Sequence, residues 1–341
     1  MAPVRERSAK HQAFVWSDGV QIEGTSIWCD ARRRQELCFV SHAHPPLTWR
    51  GDGRARVLAT ERTLALRRAL GGAVPADVLP SPFCRPVALG RLRLELLPSG
   101  HVPGAAQLLV EQPGRTVLYG GDVNPLPGRL AEPPQVRACE ALALEAPLAP
   151  LLSALPPRAE VEAQLVLAVR AALDDGVTPI VLAPSLGGAA EVCALLHEAG
   201  VPLRVHRRLS PILAVLRATG APVGQPLALR SAPPVGEALV WPLEMRDSPA
   251  LRKLVRARLL LAAGEALASD AARRHGVHAA FALSDHGDLP SLVAFASSTG
   301  ARDVYFTAGL TDEVASVFRK KKLRVHALQA PAQLPLLARG P

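Results

Sequence analysis

The chain has 341 residues, 49% of them hydrophobic and 20% charged, which describes a folded globular protein with one large or two medium domains. Its net charge of +9 and pI of about 9.9 suit a polyanionic partner such as nucleic acid. The basic excess is nearly all arginine amid abundant Ala, Pro, Gly and Leu, so biased coding is an equal reading of the same charge. No apolar run reaches the roughly 18–20 residues of a membrane span, and Met1–Lys10 is charged without an apolar signal core. The five cysteines are scattered and lack a CxxC spacing, so reduced, mostly buried thiols and a cytoplasmic location are expected.

In chain order, residues 14–40 alternate short apolar runs with turn residues such as Ser17-Asp18-Gly19, the pattern of stacked antiparallel strands. Leu37–Val40 is a buried strand that ends at Ser41-His42-Ala43-His44. Thr60 is placed to cap a helix over Glu61–Leu70. Residues 86–97 and 105–119 read as strands, with the turn Pro113-Gly114 inside the second stretch. From about residue 150 the texture becomes alternating helix and strand: helices over Glu160–Leu173, Gly188–Ala199 and Ser210–Ala218, and strands over Pro179–Ala183, Val201–Val205 and Arg258–Ala262. Such alternation implies a parallel sheet. Pro-rich joints stand at Leu155-Pro156-Pro157 and Ala232-Pro233-Pro234. A strand over Ala280–Leu283 precedes Ser284-Asp285-His286, helices follow over Pro290–Ser297 and Thr311–Arg319 around a strand at Asp303–Thr307, and Pro331–Pro341 reads as a loose tail.

Four short motifs stand where apolar runs end: Ser41-His42-Ala43-His44, Gly100-His101-Val102-Pro103-Gly104, Gly120-Gly121-Asp122 and Leu283-Ser284-Asp285-His286. Side chains at i and i+2 of an extended segment point to one side, so His42 and His44 can converge on one ion. Neutral imidazoles with a carboxylate form a donor set suited to zinc.

On these motifs, from about Phe14 to Ala338, the chain resembles the metallo-β-lactamase-fold nucleases that carry a β-CASP domain, with DNA-ligase-associated bacterial exonucleases and RNA 3′-end-processing factors as the branch. The resemblance implies an α/β (α+β) architecture: a metallo-β-lactamase αββα sandwich from residues 1–150 and 264–341, with an α/β β-CASP-like domain inserted over 151–263. It implies a first metal held by His42, His44, His101 and Asp122, and an orienting role for Asp30. Ser284, Asp285 and His286 fall on a motif thought to contact the scissile phosphate or protonate the leaving group, a task for a donor imidazole. Glu145 falls on an acidic position, and Ser185-Leu186-Gly187-Gly188 on a phosphate-facing turn. Where the family places second-metal ligands, this chain has Pro46, Leu47 and Ala308, none with a donor atom.

All three departures fall on the same ion, which implies coherent loss of the second metal. The expectation is one zinc, a catalytic assembly of His286, Asp285 and Asp122 whose phosphodiesterase activity is impaired or absent, and DNA or RNA bound through Ser284 and the basic residues Arg252, Arg256 and Arg258. A DNA ligase, a helicase or an RNA-processing complex is the partner the resemblance implies. The rival expectations are a working metal-dependent exonuclease that uses one metal or substitute donors such as Asp52 or Asp288, and a purely structural or protein-binding pseudoenzyme.

Overall fold

The computed structural model describes residues 12–31, 33, 35–43, 56–126, 128–230 and 235–328. Among them are three β-sheets and eight α-helices, a mixed α/β architecture.

The first sheet joins six strands in sequence order: β1 (Phe14–Trp16), β2 (Val20–Ile22), β3 (Ile27–Cys29), β4 (Leu37–Phe39), β5 (Arg56–Ala59) and β6 (Val78–Pro80). Helix α1 (Glu61–Ala69) follows β5, and Thr60 caps it by accepting the Thr63 N–H. The expectation of antiparallel strands over residues 14–40 holds for β1–β2 and β2–β3 but fails at β3, which pairs in parallel with β4. The physical reason is strand direction: β4 enters in the same direction as β3 and continues into parallel β5 and β6.

The second sheet has the order β19-β18-β11-β10-β9-β8-β7. It contains β7 (Val87–Leu89), β8 (Leu92–Pro98), β9 (Ala106–Gln112), β10 (Arg115–Asp122), β11 (Ala141–Glu145), β18 (Asp303–Ala308) and β19 (Arg324–Ala327). Residues 86–97, read as one strand, form the β7–β8 hairpin that turns at Gly90. Side chains alternate between faces with the strand period. Ala141 and Ala143 join Phe14, Ile22, Phe39, Leu108 and Tyr119 between the two sheets. Leu142 and Leu144 point the other way, against Leu292 and Phe295 of α7 (Leu289–Ser298) and Phe318 of α8 (Asp312–Lys320). On the outer face of the first sheet, Val57 and Ala59 pack with Leu64 of α1. The layers are therefore helix, sheet, sheet, helix.

The third sheet is wholly parallel, in the order β14-β13-β15-β12-β16-β17. Its strands are β12 (Thr178–Ala183), β13 (Leu203–Val205), β14 (Leu227–Ala228), β15 (Ala238–Pro242), β16 (Ala257–Ala262) and β17 (Ala279–Phe281). Both faces are covered, which explains apolar runs such as Ile180-Val181-Leu182-Ala183 without alternation. One face packs on α2 (Arg158–Asp174), α3 (Gly188–Glu198) and α4 (Ser210–Ala218); the other meets α5 (Pro249–Arg252) and α6 (Ala271–His275). β17 pairs with β16, so the third sheet continues past residue 263 to Phe281. The core of α2 to α4 also includes Leu66 of α1, Ala43, Val102 and Ala105, so the third sheet's helices press on the loops after β4 and β8. No described helix is long and apolar enough to cross a membrane. The joint at 232–234 and the tail at 331–341 lie outside the described residues.

Candidate metal centre

The strand ends of the first two sheets bring His42, His101 and Asp122 together. One ligating atom from each lies within 4.8 Å of the others. His42 follows β4, whose extension is anchored by Asp30. That residue has a left-handed backbone (φ 46°), which Asp tolerates better than most, and its Oδ1 accepts the Ser41 N–H at 3.0 Å. Tyr119 donates its hydroxyl to Asp30 Oδ2 at 2.9 Å, so the second sheet fixes the same carboxylate. Ser41 Oγ is hydrogen-bonded with His42 Nδ1 at 2.8 Å, which turns Nε2 toward Asp122 Oδ2, 3.8 Å away.

His101 follows Gly100, whose φ of 79° and close approach to Asn124 leave no room for a side chain: a Cβ would stand 2.1 Å from the Asn124 carbonyl oxygen. The His101 Nδ1 lies 2.9 Å from the backbone carbonyl of Asp285. A carbonyl only accepts, so Nδ1 carries the proton and Nε2 is the ligating nitrogen. Asp122 ends β10 after a bulge at Gly120-Gly121, where Gly121 takes φ 58°.

His286 joins the cluster. Its Nδ1 meets Asp285 Oδ1 at 2.9 Å and its Nε2 meets Asp122 Oδ1 at 3.4 Å. Burial opposes its charge, but the carboxylates of Asp285 and Asp122 push the imidazole up to about 9. Register places Glu145 beside Asp122 on β11 and Ala308 beside Glu145 on β18. Burial, then the charges of Asp122 and Asp30, push Glu145 up to about 8, and burial with Asp122 also raises Asp30. A buried group of carboxylates that raise one another fits a site for a cation, whose charge reverses that effect. Three imidazoles around one carboxylate match zinc rather than magnesium or calcium, which take mainly oxygen donors.

The other expected site residues divide. His44, Pro46, Leu47 and Asp52 lie outside the described residues. Ser284, expected at the substrate, is buried: its hydroxyl accepts the His286 N–H and donates to the His286 carbonyl, so it closes its own turn. Arg256 and Arg258 stand at the start of β16, and Arg258 is paired with Asp175 at 2.9 Å. From Arg258 to Ala262, the strand end nearer the cluster, is roughly 13 Å at about 3.3 Å per residue. Arg252 donates to the Asp247 carbonyl at 2.8 Å, closer to the cleft but turned to its own loop. The turn at Ser185 is occupied too, since its N–H and hydroxyl both donate to Glu244 at 3.0 Å.

A cleft of about 550 Å³ opens on His286 and Asp285, and its walls carry Glu244, Asp247 and Glu265 against Arg246 and His275. It is a mixed-charge cleft, not a basic channel. Asp288 is no substitute metal donor. Oδ1 accepts the Ser291 N–H at the start of α7, and Oδ2 accepts the Leu155 N–H at 2.7 Å. Asp288→Ala is expected to cost about 1–3 kcal/mol in denaturant unfolding and to leave metal content unchanged.

Sequence reasoning missed an ionic cluster behind the site. Glu191 on α3 accepts the Arg129 and Leu130 N–H groups and a guanidinium N–H of Arg158 at 2.7 Å. Arg158 also donates to Glu162 at 2.9 Å and to the Ser284 carbonyl at 3.2 Å, reaching the turn that carries His286. Arg158 and Glu162 are an i,i+4 pair on α2, but the other partners lie 33 to 126 residues apart, and no local signal announces those.

No family model matches the chain. Over 323 residues, 94% of its length, it is 28% identical to a protein of Opitutus terrae named "Probable DNA ligase"; the match covers 31% of that protein, so the chain spans less than a third of this curated relative.

Proposed function

We propose that the chain is a degenerate nuclease of the metallo-β-lactamase type with a β-CASP-like insert, which keeps one zinc half-site, binds DNA or RNA, and cleaves phosphodiesters poorly or not at all. One observation carries this reading: donors gather around Asp122 from His42 and His101, while Ala308 stands in register beside Glu145 where a second ion would need a ligand. His42, His101 and Asp122, with His44 outside the described residues, would hold the zinc. When bound, the ion would act as a Lewis acid if a position stays open, or as a closed structural clamp if four protein ligands fill it. With no second ion to share, Asp122 is available to the first as a full ligand.

Nucleic acid as the partner is supported by the charge of +9 and by the name of the relative, which speaks of DNA joining. The proposed setting is DNA repair or RNA processing in the cytoplasm, beside a ligase, a helicase or a processing complex. Phosphate contacts would make that binding fall steeply with salt. Base stacking has little to work with, since aromatic residues make up 4% of the chain.

The expected result of elemental analysis is about one zinc per chain, lost in His101→Ala. End-labelled DNA or RNA should be retained in a salt-sensitive manner without being cut. Metal-dependent cleavage abolished by His42→Ala would establish a working hydrolase instead. Absence of both metal and retention would overturn the proposal and leave a structural or protein-binding role.

A further inference from the structure

The end of the second sheet opposite the metal centre carries a cluster of cations that the centre does not use. Strands β10, β11 and β18 run parallel, and Asp122, Glu145 and Ala308 lie side by side where they end. Arg302 stands where β18 begins, roughly 20 Å from Ala308 at about 3.3 Å per residue. The last turn of α8 brings Arg319 and Lys320 to the same corner, and Lys321 and Lys322 follow it. The Arg324 N–H donates to the Arg302 carbonyl at 2.8 Å, which ties the start of β19 to the start of β18 there. Arg302, Arg319, Lys320, Lys321 and Lys322 are exposed, and none has an acidic partner among the described residues. Asp303, the carboxylate next in the chain, is taken by Arg324 and His326, each at 2.8 Å. Glu140 is exposed alongside, while Asp312 and Glu313 stand at the other end of α8.

A helix C-terminus favours cations, which accounts for Arg319 and Lys320 but not for Arg302 or for the backbone of Lys322. Lys322 has φ 64°, at a helix end where its N–H donates to the Arg319 carbonyl at 2.9 Å. Glycine is the usual residue there, because a side chain is strained in that region. The chain follows that preference elsewhere: Gly71, Gly176, Gly200, Gly220 and Gly300 take positive φ just past the ends of α1, α2, α3, α4 and α7. At α8 it keeps a lysine, so the charge is held at some cost to the fold. The apolar face of α8, Val314, Ala315 and Phe318, is already buried, and no large hydrophobic side chain is exposed at the corner. The corner therefore has nothing to insert into a lipid surface. The ring of His326 is stacked on Tyr305 and bonded to Asp303, so no free aromatic face is offered to a base. What remains is a set of charges fixed by a strand and a helix end, suited to backbone phosphates.

We propose that this corner, Arg302, Arg319 and Lys320 to Lys322, is a docking surface for the sugar–phosphate backbone of duplex nucleic acid, bound without regard to sequence. The inference rests on the nucleic-acid reading above and gives the binding a place other than Arg252, Arg256 and Arg258. A duplex is the form that suits it, because its phosphates are displayed in regular rows while its bases stay stacked and need no partner. At about 3.4 Å per base pair, roughly six base pairs span the distance from this corner to the strand ends at the metal centre. A duplex held here is anchored away from the ion.

The test measures binding of a duplex DNA of roughly 20 base pairs to the full chain over a range of salt concentrations. With Lys320→Gln, Lys321→Gln and Lys322→Gly combined, the slope of log affinity against log salt should fall in magnitude by about 3, at about 0.9 for each phosphate contact removed, and affinity at low salt should drop at least about 10-fold. Lys322→Gly alone should raise the denaturant midpoint, because it relieves the left-handed lysine, and still lower the slope by about 1. A purely structural lysine would give the first effect without the second, which would overturn the proposal. Unchanged affinity and slope in the combined variant, with wild type binding, would overturn the docking surface and leave the nucleic-acid reading standing. The same holds if the variant loses only binding to vesicles containing phosphatidylserine, or if wild type retains single-stranded DNA or RNA but no duplex. Failure of wild type to retain any of these nucleic acids overturns both.

Discussion

Replacing Glu191 by alanine is expected to destabilise the protein by about 3–5 kcal/mol, measured as a fall in the denaturant midpoint at unchanged slope. The side chain of Glu191 is only 9% exposed, and its carboxylate holds two backbone N–H groups of the 129–130 segment together with the Arg158 guanidinium. Truncation leaves the two backbone donors without that acceptor at a position where the carboxylate is nearly buried, a larger loss than that of a surface pair. Arg158 would still have Glu162, which also receives Arg129. Glu191→Gln should cost less, because an amide oxygen still accepts one of the backbone donors. A loss under about 1 kcal/mol for Glu191→Ala would mean that water reaches the cluster and that it adds little to the joint between α3 and the 129–130 segment. Since Arg158 also donates to the Ser284 carbonyl, the variant should loosen the turn that carries His286.

What the sequence disclosed about this site depended on short range. Gly100 and Gly121 mark positions where the backbone must take positive φ, and each stands directly before a candidate ligand, so the loops were legible as loops. The Asp30 to Ser41 bond spans 11 residues and fell within the same motif reading. The helix over Glu61–Ala69 follows from its Thr60 cap, and those over Gly188–Glu198 and Ser210–Ala218, which have no side-chain cap, from their apolar spacing. Strand partners were not legible, because whether β3 meets β4 in parallel, or β17 joins β16, is decided by crossovers rather than by propensity. Strands β5, β6, β11, β14, β15 and β19 were not read for a related reason: short apolar runs carry no periodicity that separates them from loops or buried helix. The basic residues Arg252, Arg256 and Arg258 are close in sequence, but β16 carries Arg258 away from the cluster and Arg252, exposed at the end of α5, donates to the Asp247 carbonyl. The approach of His286 to Asp122 arises from the docking of three sheets and could not be read from the turn alone.

A second ion should return if its missing donors are restored. With Pro46→Asp, Leu47→His and Ala308→His combined, zinc per chain is expected to rise from about one to about two. The argument rests on register. Asp122, Glu145 and Ala308 lie side by side at the ends of the parallel strands β10, β11 and β18, so a histidine at 308 joins a row that already holds two carboxylates. Neighbouring strands are about 4.8 Å apart, which places position 308 roughly 10 Å in backbone from Asp122, a span that two inward-directed side chains and a metal can bridge. Ala308→His alone should leave the content near one, because a lone imidazole and a shared carboxylate are too few donors to hold zinc. Pro46 and Leu47 lie outside the described residues, so the combined variant also tests whether the segment after His42 delivers donors to the same side of Asp122. A content that stays at one in a folded triple variant would show that the second half-site is closed by something other than missing donors. Competition from His286 for Asp122 Oδ1 is the candidate for that, and adding His286→Ala to the triple variant would reveal it as a gain of the second ion.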